Sequence, residues 1–150
     1  MIIFFLFFVI FTSADETGIL EADCTYKYTN SIQELRISGN GQMPDFDFND
    51  QPWNLYKADI KIIVIEDGIT TIGKYSFYDC VHVESISIGN DVQNIENKAF
   101  ENCFSLKSFS VGQNSNFFKI SSKLFYFLRR FCTVLEQDST LWTIQYGRFS

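Results

Sequence analysis

The cysteines are the side chains of this sequence with the widest range of chemistry open to them. The chain of 150 residues contains four, at Cys24, Cys80, Cys103 and Cys132. A thiol can ligate a metal, act as a nucleophile or form half of a disulfide. A zinc site is not expected, because no Cys-x-x-Cys pair occurs and His82 is the only histidine. What Cys80 and Cys103 can do depends on whether the fold brings these two distant positions together.

His82 and a run of aspartates are the remaining candidates for catalysis or metal binding. No serine elbow and no Cys-His-Asn pattern accompanies His82, so a solvated loop residue is favoured over a catalytic base. The carboxylates of Asp45, Asp47 and Asp50 could offer oxygen ligands to calcium, but the run lacks the glycine and distal glutamate of an EF-hand loop. Its alternation with phenylalanine is also typical of an edge strand, the favoured interpretation. The sequence predicts no catalytic residue, metal site or cofactor.

A repeated unit would position these side chains. Residues 64–80 and 87–103 align without a gap, so that every position i of the first copy corresponds to position i+23 in the second. Repeats of 20–29 residues are typical of leucine-rich solenoids, in which each repeat forms one coil and buries its apolar face against its neighbours. Residues 60–111 are therefore predicted to be a stack of regular coils.

Apolar positions coincide between the copies, and we call each set of equivalent positions a column. The columns are Ile60, Val83 and Leu106; Ile63, Ile86 and Phe109; Ile65, Ile88 and Val111; Ile69 and Val92; Ile72 and Ile95; Ser76 and Ala99; Phe77 and Phe100; and Cys80 and Cys103. Between the columns lie polar residues that vary freely, because identity matters inside the core and solubility matters outside it. The period of two at positions 63–65 and their equivalents predicts one strand per coil.

Strands of successive coils would pair in parallel about 4.8 Å apart, which places Cys80 and Cys103 within disulfide range. Stacked free thiols are the preferred interpretation, because buried cysteine packs as a small hydrophobe. A disulfide is the alternative in an oxidising compartment. Pairing of Cys24 with Cys132 is not expected, because they lie near opposite ends of the array.

Short turns connect the strands. Gly68, Gly73, Gly89 and Gly112 supply turn chemistry. Residues 74–80 and 98–103 are too few for an independently stable helix, and we predict single helical or 3-10 turns that seat Phe77 and Phe100 in the core. The predicted fold class is an α/β solenoid, mostly β, with a parallel sheet and short helical turns.

The repeat resembles a known family. Residues 60–80 read Ile-x-x-Ile-x-Ile-x-Asp-Gly-Ile-Thr-x-Ile-Gly-x-x-Ser-Phe-x-x-Cys, which is similar to the BspA-type leucine-rich repeat. The resemblance is specific over 60–111 and looser over 30–59 and 112–136. It implies a right-handed leucine-rich coil stack. It also implies a surface or secreted protein of mucosal bacteria or protists, used in adhesion and protein binding, without a catalytic motif.

Residues 1–14 are predicted to be a secretory signal peptide. The apolar run ends at Phe11 and is too short to span a bilayer, which needs about 20 residues. Thr12 and Ala14 offer small residues at the −3 and −1 positions, so cleavage would leave Asp15 first. The run contains no Lys or Arg, and a buried strand or an uncleaved anchor is the alternative. A secreted or cell-surface protein without a stable transmembrane anchor is therefore predicted.

The predicted ends of the array are irregular. Residues 15–59 should contain an N-terminal cap and a first irregular coil. Residues 24–37 are assigned to that coil, because the strand signature recurs at Ile32, Leu35 and Ile37. Ile60 follows Ile32 at i+28, whereas the later coils repeat at i+23. Trp53 and Tyr56 are predicted to cover the end of the core.

Residues 112–150 are predicted to form an irregular C-terminal coil or a hairpin cap. Ile120 and Phe125 follow Ile95 and Phe100 at i+25, so the register changes after the regular coils. The hairpin would use strands at residues 123–126 and 133–136. In the alternative, a fourth coil places Phe131 in the column of Leu106.

The outward positions of the predicted strands form a candidate binding surface. They are Ile62, Ser85 and Ser108; Val64, Ser87 and Ser110; and Glu66, Gly89 and Gly112, with Glu34, Arg36 and Ser38 extending the rows. Most are small and polar, whereas Ile62 and Val64 are apolar and suit a contact patch unless the cap covers them. The predicted partner-binding face is Ile62, Val64, Glu66, Ser85, Ser87, Ser108 and Ser110.

The sequence therefore predicts a non-catalytic protein-binding or adhesion module with extracellular or host proteins as partners. The net charge of −6 and the pI of about 4.7 argue against nucleic acid. A short structural paralogue, or a fragment of a larger surface antigen without its own ligand, is the alternative. An enzyme is the least favoured hypothesis.

Overall fold

The computed structural model describes residues 15–21, 23–112 and 119–120. Its strands are β1 (Glu16–Ile19), β2 (Cys24–Thr29), β3 (Glu34–Gly39), β4 (Gly41–Gln42), β5 (Ile62–Ile65), β6 (Ile69–Ile72), β7 (Ser85–Ile88), β8 (Asn94–Ile95), β9 (Ser108–Val111) and β10 (Lys119–Ile120). A 3-10 helix, Asn30–Ile32, joins β2 to β3. Within these ranges no helix is long and apolar enough to cross a membrane.

The strands form two sheets, which we call the long sheet and the short sheet. The long sheet has the order β1-β2-β3-β5-β7-β9, and the short sheet has the order β10-β8-β6-β4. From β3 onward the long sheet is parallel, and its register places Ile63 opposite Ile86 and Ile86 opposite Phe109. Equivalent residues of successive coils are therefore neighbours, which confirms the predicted solenoid. The short sheet was not predicted.

The core confirms the predicted columns. Their members are buried, apart from Val111, which is half-buried against the core. Phe77 and Phe100 stack with ring centroids 5.1 Å apart and planes 13° from parallel. Leu35 and Ile37 extend the columns of Ile63 and Ile65, because β3 pairs with β5 in the same register.

Trp53 lies inside the core instead of covering its end. It takes the place of a phenylalanine in the first coil, with its ring centroid 5.5 Å from that of Phe77. Its Nε1 donates a hydrogen bond of 3.0 Å to the carbonyl oxygen of Ser76. Tyr26 and Phe46 pack edge-on against Trp53. We call the stack of Trp53, Phe77 and Phe100 the aromatic column.

The segments predicted as helical turns are hydrogen-bonded turns of another kind. Tyr75 and Asp79 have φ of 56° and 58°, and their equivalents Lys98 and Asn102 have φ of 61° and 68°. These left-handed residues are incompatible with an α-helical or 3-10 turn of L-residues. The prediction of helical geometry at 74–80 and 98–103 was wrong, although the turns do seat Phe77 and Phe100 in the core.

The N-terminal part is an antiparallel hairpin instead of a first coil at 24–37. β2 pairs antiparallel with β3, and β1 pairs antiparallel with β2. The chain reverses at Gln33, which has φ of 54°. Because Ile32 lies in this reversal it is 54% exposed, and it does not join the column of Ile60 as the sequence suggested.

At the other end, the pairing of β10 with β8 places Ile120 opposite Ile95. This confirms the predicted change of register, from i+23 to i+25, at that position. The remaining C-terminal predictions, including the hairpin or fourth coil, Phe125, Phe131 and Cys132, lie outside the described residues. The signal peptide predicted at 1–14 lies outside them as well.

Candidate functional site

The buried cysteines are packed thiols and not a reactive centre. Cys80 and Cys103 are both free and buried, in agreement with the preferred interpretation. Burial raises the pKa of Cys80 to about 12 and raises the pKa of Cys103 well above its ordinary value. The Cys103 Sγ lies 3.4 Å from the carbonyl oxygen of Phe77, to which it donates. Cys24 is also free and buried, and burial raises its pKa.

This arrangement predicts thiols that do not react in the native protein. In a Cys132→Ser variant, we expect Ellman's reagent at pH 8 to modify the native thiols at least about 100-fold more slowly than free cysteine. After unfolding in denaturant without reductant, three thiols should react. A count of one after unfolding would contradict the prediction, because it would reveal a Cys80–Cys103 disulfide.

The other residues considered for catalysis or metal binding are dispersed. His82 is exposed in the turn before β7. The Asp45 carboxylate accepts a hydrogen bond of 2.7 Å from the backbone N–H of Lys74. Within the described ranges, no three His, Cys, Asp or Glu side chains are grouped so that they could hold a metal ion. The Asp-Phe run is not an edge strand, because it enters a turn at 48–49.

The predicted partner-binding face is assembled as one surface on the outside of the long sheet. The register aligns Ile62, Ser85 and Ser108 in one row, and Val64, Ser87 and Ser110 in the next. Ile62, Val64 and Glu66 are half-buried, and Ser87, Ser108 and Ser110 are exposed. The N-terminal hairpin therefore leaves Ile62 and Val64 partly accessible. We call this surface the outer face; partner binding there stays a prediction.

An ion-pair network borders the apolar part of the outer face. Arg36 lies beside Val64 in the register. Its guanidinium contacts Glu34 and Glu66 at 2.8 Å each. The hydrogen bond from Arg36, supported by Ser38, lowers the pKa of Glu66. The two ion pairs hold the Arg36 guanidinium between Glu34 in β3 and Glu66, which follows β5. A positive charge is therefore fixed at the border of the apolar part.

An open groove lies where β5, β7 and β9 end. A Cβ added to Gly89 would lie 2.7 Å from the backbone N of Asp67, and one added to Gly112 would lie 2.7 Å from the Cα of Asn90. The glycines are therefore required because the turn of the preceding coil crosses them closely. The backbone N–H of Asn90 donates to Asp67 at 2.6 Å and lowers its pKa. The sequence signal is the equivalence of Gly89 and Gly112, which predicts turn chemistry and an outward row with Glu66 but not this close approach.

Comparison with known families agrees with this geometry. Residues 54–150 match the model of the BspA type leucine rich repeat region, in six copies. The chain belongs to the BspA-type leucine-rich repeat family. This confirms the resemblance, and it identifies a repeat-based protein-interaction module. The BspA-type repeat is a repeat scaffold.

A solved structure supports the same fold for this BspA-type chain. A leucine-rich repeat protein from Eubacterium ventriosum ATCC 27560 is similar, with a TM-score of 0.63 and 26% sequence identity over 68% of this chain. The chain spans 27% of the length of that protein. No protein with a curated description matches the chain.

Polar residues between the columns pair from one BspA-type coil to the next. Lys98 Nζ donates to the Tyr75 hydroxyl at 3.0 Å, and Lys107 Nζ lies 2.9 Å from the Glu84 carboxylate. Asn90 donates to Asp67, and Asn102 donates to Asp79 at 2.5 Å. Each pair joins equivalent positions of neighbouring coils that hold residues of different type. The outer positions are therefore matched across coils, and the expectation that they vary freely was wrong.

Proposed function

We propose that this chain is a secreted or cell-surface module that binds extracellular or host proteins through its outer face and catalyses no reaction. The observation that carries the proposal is the partial exposure of Ile62 and Val64 on the same strand near the centre of this sheet. The two side chains lie next but one on the same side of the strand, and contiguous apolar surface that stays accessible marks interaction sites.

The rest of the outer face suits a protein partner. The outward serines of β7 and β9, and the glycines that follow these strands, leave the sheet nearly flat, so that a partner backbone can approach closely and exchange hydrogen bonds with the hydroxyls. The Arg36 network provides charges of both signs at the border of the apolar part. Charges at the border of a contact set its orientation more than its strength. Affinity would therefore come from Ile62 and Val64.

Secretion is supported by the composition of residues 1–14 and by the family. Its test is direct: the mature protein should be recovered outside the cell, and N-terminal sequencing should begin at Asp15. Recovery only inside the cell with Met1 retained would contradict this part of the proposal.

The binding site is tested with an Ile62→Asp, Val64→Asp double variant. The immobilised wild-type protein is incubated with a detergent extract of epithelial cell surfaces, and retained proteins are identified by mass spectrometry. An unpaired carboxylate buried in an apolar contact costs more than about 1.4 kcal/mol, the equivalent of a tenfold change, so we expect a loss of at least tenfold in retention. Circular dichroism verifies that the variant is folded.

The matched control is Gln93→Asp, because Gln93 is exposed and lies between β7 and β8, away from the outer face. Its retention should equal that of the wild type. Equal retention by the double variant would remove Ile62 and Val64 from the site. No retention above background by the wild type would favour the alternative, a structural fragment without its own ligand.

A further inference from the structure

The first coil contains a loop that the later coils lack. Ile63 follows its equivalent Leu35 at i+28, whereas Ile86 follows Ile63 at i+23. The loop lies between Asp45 and Gln51, and both of these residues anchor it on the next coil. Buried Gln51 donates from Nε2 to the Tyr75 carbonyl oxygen at 2.7 Å. Asp45 accepts from the Lys74 backbone. The added residues are therefore held in a defined conformation.

This loop presents an exposed aromatic ring. Phe48 is 59% exposed, and its ring centroid lies 5.2 Å from that of Tyr78 at an interplanar angle of 65°. Tyr78 makes a similar contact with Tyr75, at 5.3 Å and 65°. We call these three rings the aromatic patch. Successive rings are inclined to one another, so they form an angled surface and not a flat stack.

Polar groups surround the rings of the aromatic patch. The Tyr75 hydroxyl accepts from Lys98, and the Tyr78 hydroxyl accepts from Asn102 Nδ2 at 3.4 Å. Lys57 Nζ lies 6.0 Å from the centroid of Tyr78 and donates to Asn49 Oδ1 at 2.8 Å. Lys57 and Lys98 lie over the rings of Tyr78 and Tyr75. The exposed ring of Phe48 therefore offers the open apolar surface, with hydrogen-bonding groups beside it.

We propose that the aromatic patch binds a neutral saccharide. A sugar ring presents polarised C–H bonds on its faces and hydroxyl groups at its edge. The faces of aromatic rings carry partial negative charge and attract such C–H bonds. The amides, ammonium groups and phenols around the patch can exchange hydrogen bonds with the hydroxyls. This site is separate from the outer face and uses none of its residues.

The charge and size of the patch decide between ligand classes. Lys57 and Lys98 contact the rings, but Asp47 and Asp79 directly adjoin Phe48 and Tyr78 in the chain, and the protein as a whole carries a net charge of −6. This disfavours sialylated or sulfated glycans by like-charge repulsion. Three rings also cover far less than the roughly 800 Å² per partner of a stable protein interface.

The test uses the full chain on an array of multivalent neutral, sialylated and sulfated oligosaccharides. We expect binding to at least one neutral class, and a loss of about tenfold or more for Phe48→Ala, because an aromatic contact of this kind is removed. Phe48 is exposed, so this variant should fold like the wild type, as thermal unfolding would verify. The control Phe104→Ala removes a ring that is 74% exposed and outside the patch, and it should bind like the wild type.

Each other outcome overturns the proposal. Binding to no neutral glycan would exclude the saccharide, as would binding unchanged by Phe48→Ala. Binding confined to acidic glycans would reverse the charge argument. Loss of protein retention from the epithelial extract on Phe48→Ala, without glycan binding, would assign the patch to a protein. The Ile62→Asp, Val64→Asp variant should keep its glycan binding, so failure of either site is distinguishable from failure of the other.

Discussion

Replacing Phe77 with alanine is expected to lower the free energy of unfolding by about 3–5 kcal/mol. The ring is fully buried and stacks between Trp53 and Phe100, with centroids 5.5 and 5.1 Å away. Its removal would leave a cavity in the middle of the aromatic column, with rings on both sides that cannot close it. Urea unfolding followed by circular dichroism measures the loss. Phe100→Ala should have a cost in the same range.

Phe104→Ala is the matched control, because it removes the same side chain from an exposed position. Its cost should stay within about 0.5 kcal/mol. A cost below about 1 kcal/mol for Phe77→Ala would show that the ring does not fill the core. The double variant of Phe77 and Phe100 should depart from additivity, since the two rings are in contact.

The second large effect is expected for Gly73→Ala, at about 3 kcal/mol. A Cβ on Gly73 would lie 1.9 Å from the carbonyl oxygen of Pro44, which is backbone of the preceding coil. The clash can be relieved only if the two coils move apart, and that would disturb the hydrogen bond from Phe46 N to Lys74 O. Thermal and urea unfolding of the variant measure the effect.

Lys74→Ala is the control for Gly73→Ala, because Lys74 is the adjacent residue and its side chain is exposed. It should change stability by no more than about 0.5 kcal/mol. A cost below about 1 kcal/mol for Gly73→Ala would show that the coils separate locally with ease. Glu96 occupies the position of Gly73 in the next coil, so the requirement for glycine belongs to the contact with Pro44 and not to the repeat.

The repeated part of the fold could be predicted from the sequence because one constant offset, i to i+23, fixes which side chains touch. Once Ile63 is opposite Ile86, every other column follows from the register. The N-terminal hairpin could not be predicted, because parallel and antiparallel strands share a period of two. Trp53 was misplaced because the loop before it obscures its equivalence to Phe77.

The candidate surfaces were predictable to different degrees. Alternation along the strands was enough to predict the residues of the outer face, because membership depends only on the side of the sheet to which a residue points. The ion pairs of Arg36 depend on side-chain conformation, which no spacing reveals. The aromatic patch could not be predicted, because Phe48 lies in a run of alternating aspartate and phenylalanine that is also typical of an edge strand. The turn geometry was missed because Tyr75 and Lys98 are not residues that favour positive φ.

The unlike polar pairs between coils bear on how such an array can lengthen. A tandem duplication of one coil would initially set identical residues against each other, so that Asp67 would face a second Asp67 where it now accepts from Asn90. Two carboxylates at that spacing repel, and a lysine above a lysine does the same. A newly copied coil would therefore have to diverge at its outer polar positions before it packs well. The present coils also cannot exchange places along the chain without losing these pairs.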